Sequence, residues 1–243
     1  MWFEIGVLVF GAFAASLAAG ASGFAFGLVG MAIWLHAISP ARAVPLVILC
    51  SILLNMALIW RLWSSVDMKR LKPFLVGAVV GVPLGVAALR HVEPGVIRQT
   101  VGALLIVYSL YMVTRATMPV LPLSPRAGRT MDTGVGALGG FMGGSTSLNG
   151  IFPTLWCGIR GWTPREQRGV FQPYVLLVHL YTLAWLGGTG TLGRQTLHDI
   201  LWCVPFVAAG GYIGLQLFHR TSEAGFRRLM LGLFIVSGVL LLI

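Results

Sequence analysis

Apolar residues in this chain run in stretches of about 20, separated by short polar or basic segments. The stretches cover residues 3–37, 43–63, 71–89, 96–114, 133–159, 169–186, 200–218 and 226–243. A helix rises 1.5 Å per residue, so about 20 apolar residues match a hydrocarbon core of ~30 Å. The pattern predicts an all-α polytopic membrane protein occupying residues 1–243 as one domain. The first and fifth stretches are interrupted. In the fifth the interruption is Gly143-Gly144-Ser145-Thr146-Ser147-Leu148-Asn149-Gly150, and in the first it is Gly20-Ala21-Ser22-Gly23 through Gly27. Glycine and short hydroxyl residues are poor helix formers, and backbone groups freed in lipid need other partners. One break per half points to a transport site near mid-bilayer.

The halves match each other. Arg90, Glu93, Gly95, Arg98 and Gly102 recur at a constant offset of 130 as Arg220, Glu223, Gly225, Arg228 and Gly232. Further upstream the offset is 124, pairing Gly20 with Gly144, Ser39-Pro40 with Thr163-Pro164, and Asn55 with His179. Two blocks in the same order indicate duplication: repeat 1 at 1–117, a Pro/Arg linker at 118–131 and repeat 2 at 132–243. Counting Lys and Arg tests the topology. If each broken segment crosses once, the two faces hold nine and eight basic residues and no orientation signal remains. If each is a hairpin that returns to its own face, thirteen fall on one side and four on the other, the bias expected of an inserted protein. Each half then opens with a broken hairpin of two arms, about 15 residues each, followed by three transmembrane helices. The second half is inverted relative to the first.

Composition narrows function. Hydrophobic residues make up 57% and charged residues 10%. The formal charge of +10 is spread singly and in short clusters between apolar spans, as loop anchoring requires, and does not indicate nucleic acid. Trp60 and Trp63 flank a basic loop and fit an interface belt. Cys50, Cys157 and Cys203 lie inside apolar spans without metal-type spacing and read as free structural thiols. No metal motif or cofactor motif is present in the sequence. The first 21 residues resemble a signal peptide but carry Glu4 in place of a basic start, so they read as a retained first helix.

A helix N-terminus inside the membrane presents unpaired N–H groups and about half a positive charge, an anion site without a buried Lys or Arg. The candidate donors in the second half are the backbone around Gly144, Ser145, Thr146 and Ser147, their hydroxyls, and the amide of Asn149. In the first half they are Ser22 and the Gly23 backbone. Small residues at these points also serve close helix packing. Asn55 and His179 sit mid-helix at equivalent positions, where polar groups face a cavity or another helix. His179 is a candidate donor or proton carrier. Gln172 and Arg168 precede it on the same helix, with Arg165 and Arg168 at the helix mouth.

These residues resemble the TauE/SafE family of sulfite and organosulfonate exporters. The resemblance rests on the Gly-rich broken first segment Gly20–Gly30, Ser39-Pro40-x-x-Ala43, Gly139-Gly140-x-x-Gly143-Gly144 to Gly150, and Trp162-Thr163-Pro164-Arg165. It implies a multi-pass permease of the cell (inner) membrane that exports small sulfur-containing anions. The partners it implies are that anionic substrate and the lipid bilayer. Self-association into a homo-oligomer stays open. Two alternatives come from other classes. Gly20-Ala21-Ser22-Gly23 resembles the rhomboid GxSG motif, with His179 as base, although no helix precedes Ser22. An anion channel is the other.

Overall fold

Three helix starts in this chain are set by polar caps lying ahead of the apolar runs. The computed structural model describes residues 2–22, 25–59, 66–114, 120–218 and 223–243. It is all-helical, with α1 (Trp2–Ser22), α2 (Phe26–Trp34), α3 (Pro40–Ile59), α4 (Met68–His91), α5 (Pro94–Thr114), α6 (Pro125–Thr146), α7 (Ile151–Ile159), α8 (Pro164–Gly188), α9 (Arg194–Phe218) and α10 (Glu223–Leu242). Asp67 accepts from the backbone N–H groups of Lys69 and Arg70 and starts α4. Ser124 accepts from Ala127 ahead of Pro125 in α6, and Thr163 with Glu166 forms a capping box on α8. Residues 125–131, expected in a linker, are therefore the first turns of α6. Trp60 and Trp63 lie outside the described residues.

Among the described residues six helices, α1, α3, α4, α5, α8 and α9, are long and apolar enough to cross a membrane. The chain is a multi-pass helical membrane protein. Both expected breaks are present, but their arms are unequal rather than about 15 residues each. α1 has 21 residues and α6 has 22, whereas α2 and α7 have nine each. Alanine keeps α1 helical through its small-residue stretch. Nine residues rise ~14 Å, less than half of the hydrocarbon core.

Each short helix folds back on its long partner. The Trp34 indole Nε1 of α2 donates to the Leu8 carbonyl of α1 at 3.1 Å. Trp156 Nε1 of α7 donates to Asp132 Oδ1 of α6 at 2.6 Å. Leu8 and Asp132 are 124 positions apart.

The same docking occurs twice. α4 packs along α6, and α9 along α1. Gly81 and Gly85 of α4 lie over the carbonyls of Ala137 and Phe141, while Gly210 and Gly214 of α9 lie over those of Phe13 and Leu17. A Cβ on Gly144 would stand 2.6 Å from the Val82 carbonyl oxygen, and one on Gly20 would stand 2.8 Å from that of Gly211. In the hairpins the counterparts are 124 apart (13 to 137, 17 to 141, 20 to 144). In α4 and α9 they are 129 apart (81 to 210, 82 to 211, 85 to 214). Small residues on both partners let the backbones approach this closely.

The ends of the bundle are tied differently. At one end Leu121 N–H donates to the Ile159 carbonyl at 3.0 Å, and Arg70 meets Glu166 at 2.8 Å. Trp162 lies under the guanidinium groups of Arg70 and Arg160, 4.8 and 5.4 Å from its ring centroid. At the other end Arg42 of α3 binds Asp199 of α9 and Glu4 of α1. The 20 residues of α3 separate the two ends by ~30 Å.

Candidate functional site

The tip of the second hairpin closes the end of α6 and leaves the start of α7 without a side-chain cap. α6 ends at Thr146, and Ser147 turns the chain at φ 56°. Ser147 N–H returns to the Gly143 carbonyl at 3.1 Å and Leu148 N–H to that of Met142 at 3.3 Å, a Schellman-type closure. Ser145 Oγ donates to the Phe141 carbonyl and Thr146 Oγ1 to that of Met142, each at 2.8 Å. The hydroxyls of Ser145 and Thr146 are thus spent on their own helix, and the Ser147 amide is inside the C-terminal closure. These three residues end one helix rather than start the next. α7 begins at Ile151 with Gly150 as its N-cap, and no side chain caps it. α2 begins at Phe26 behind Ala25, again without a side-chain cap. The uncapped N–H groups therefore belong to the starts of α2 and α7.

Both starts open on one buried cavity. Its lining is Gly27 and Leu28 of α2, Ser51 of α3, the 147–150 turn, Ile151 of α7, and Val175 and His179 of α8. The cavity has ~10 Å³ of free room, about one water. The two tips touch across it, since a Cβ on Gly27 would stand 3.0 Å from the Ser147 carbonyl oxygen.

Two residues of the lining each carry a buried polar atom without a partner, Oγ of Ser147 and Nδ1 of His179. Each residue is 1% exposed. His179 Nε2 is 3.3 Å from the Ser147 carbonyl oxygen. A carbonyl only accepts, so Nε2 carries the hydrogen. Asn149 also lines the cavity, and its Nδ2 donates to the Val175 carbonyl at 3.1 Å.

The remaining candidates fall elsewhere. Asn55 turns its amide onto its own helix, donating to the Ser51 carbonyl at 2.8 Å and meeting Ser51 Oγ at 3.1 Å. Gly144 faces α4. Gln172, two turns before His179, is buried away from the lining, and Arg168 is half-buried beyond it. Gly23 lies outside the described residues, as does the Ser22 side chain. Gly27, Leu28, Ser51 and Ile151 were not foreseen. Ser51, one turn before Asn55, carried a signal in its polarity at depth; backbone donors carry none. Among the described residues no group of three or more His, Cys, Asp or Glu is placed to hold a metal.

Electrostatically the site offers fractional charge only. Each helix start contributes about half a positive unit, and among the described residues no Lys, Arg, Asp or Glu lines the cavity. That arrangement suits a small anion, held by N–H and O–H groups.

Residues 8–241 match the family described as Sulfite exporter TauE/SafE. No curated protein and no solved structure matches the chain.

Proposed function

This chain belongs to the Sulfite exporter TauE/SafE family, and from that footing we propose that it exports small sulfur oxyanions by alternating access around the two hairpin tips. Membership makes it a membrane transporter and not an enzyme, so the protease reading of Ser22 and His179 falls away. One observation carries the site: the uncapped starts of α2 and α7 meet at a cavity lined by Ser147 and His179, whose Oγ and Nδ1 are buried without partners. Asn149 supports the same cavity, and Asn55 backs it through Ser51.

The repeated docking of α4 on α6 and α9 on α1 supports two halves of inverted topology. The basic end at Arg70, Arg160 and Arg168 then faces the cytoplasm of a cell membrane. Room for about one water is too little for an oxyanion, so loading requires one end to part. The separate ion-pair clusters at the two ends are suited to open in turn. The inside-negative potential drives an anion outward by ~2.3 kcal/mol per charge per 100 mV, so export needs no co-ion.

Purified protein in liposomes should release loaded sulfite with saturating kinetics, and Ser147→Ala should raise the half-saturating concentration. Flux that rises linearly with concentration would make it a channel. An unchanged half-saturation in Ser147→Ala would move the site away from the tips.

A further inference from the structure

We propose that the site takes its anion with a proton attached, as a singly charged oxyanion whose own O–H donates to His179 Nδ1; this rests on the anion site described above. The imidazole's orientation leads to it. Nε2 donates to the Ser147 carbonyl, so a neutral ring presents a lone pair at Nδ1. That lone pair is buried and without a partner, on a residue that lines the cavity. Against a bare anionic oxygen it is repulsive. A ligand that brings a hydrogen turns the same contact into a hydrogen bond.

The charges agree with this. From α3 the ring is faced by Ser51, from the tip turn by Ser147 and Asn149, and from α2 by Gly27 and Leu28. None of these is charged. The hairpin's own charged pair, Asp132 with Arg160, lies at its base and is joined to itself and to Trp156. Two helix starts supply about one positive unit between them, part of it offset by the capped end of α6. One negative charge is matched and two are not, and an unmatched buried charge is costly. Protonating the ring instead would place a whole cation in a wall that holds no carboxylate.

Calorimetric titration of the wild-type protein with sulfite, methanesulfonate and sulfate tests the idea. Sulfite carries a removable proton, methanesulfonate has one charge and no donor, and sulfate has two charges. The sulfite dissociation constant should rise about tenfold per pH unit once the pH passes hydrogensulfite's own pKa. At about pH 6 the other two should bind at least ~10-fold more weakly, the worth of one charge-assisted hydrogen bond. His179→Asn puts an amide donor near Nδ1 and should bring methanesulfonate within about threefold of sulfite. The wild-type panel decides even if that variant fails to fold. Sulfite affinity that ignores pH, or methanesulfonate binding as tightly as sulfite, overturns the proposal. So does proton uptake from buffer on binding methanesulfonate, which would put the proton on the ring. No binding by any of the three removes the anion site and this inference with it, whereas pH-independent binding removes the proton alone.

Discussion

Arg42 grips Asp199 with one edge of its guanidinium, Nε to Oδ2 at 2.6 Å and a terminal nitrogen to Oδ1 at 2.9 Å. Moving Arg42 by the hairpin offset of 124 gives Glu166, and moving Asp199 back by 129 gives Arg70. Glu166 and Arg70 are themselves an ion pair, 2.8 Å apart at the opposite end. The fold thus ties corresponding helix starts, α3 to α9 and α8 to α4, by the same kind of bond with the charges exchanged.

The two pairs differ in exposure, which sets their worth. The Asp199 side chain is 3% exposed, whereas those of Arg70 and Glu166 are 34% and 41% exposed. Removing one partner of a buried pair costs ~3–5 kcal/mol, while exposed pairs contribute about 0–1. Asp199→Asn should lower the thermal midpoint in detergent clearly, and Glu166→Gln should leave it nearly unchanged. Equal effects would contradict the ranking.

Gly81→Ala and Gly210→Ala should each cost about 1–3 kcal/mol, because a methyl group would press into a backbone carbonyl of the facing helix. A methyl group on Gly95 of α5 would meet nothing within 4 Å. Gly95→Ala should therefore stabilise by ~0.5–1 kcal/mol through helix propensity. Thermal unfolding of the three variants checks the sign of each.

Among the described residues, Ser147 is the only non-glycine with positive φ. Ser147→Gly removes the backbone cost of about 1–2 kcal/mol, and Ser147→Ala retains it. The glycine variant should unfold at the higher temperature of the two. Both lack the hydroxyl and should bind anion about tenfold more weakly. A glycine variant with undiminished affinity would show that the hydroxyl does not touch the ligand.

Single cysteines placed in a background lacking Cys50, Cys157 and Cys203 report the faces. Val120 and Arg165 belong to the end where Leu121 meets Ile159, and Gly95 and Arg194 belong to the Arg42 end. An impermeant thiol reagent should label positions 120 and 165 from one side of sealed vesicles and positions 95 and 194 from the other. Labelling of 120 and 165 from opposite sides would break the hairpin topology.

Apolar stretches and glycine breaks were legible in the chain because membrane thickness and helix propensity leave direct marks on composition. Helix starts were less so: Asp67, Ser124 and Thr163 begin helices in polar sequence, where a hydrophobic pattern is silent. The unequal arms were hidden because Ala14-Ala15 and Ala18-Ala19 sustain α1, and because α4 covers the glycines of α6. At the site, His179, Asn149 and Ser147 stood out as polar groups at depth. Ser145, Thr146 and Asn55 gave the same signal, but their side chains bond to carbonyls of their own helices. The breaks marked where α2 and α7 would start only to within a few residues, since a backbone N–H is common to nearly every residue.

The cavity's two flanks are chemically unlike. A hydroxyl and an imidazole stand on the second-half flank, while the first-half tip offers Gly27 and Leu28. A near-symmetric scaffold therefore encloses a lopsided cavity, which under the proposed function would hold a passenger with two different ends one way round. On the proposal made above, the passenger's O–H turns toward His179 and Ser147 and its other end toward α2.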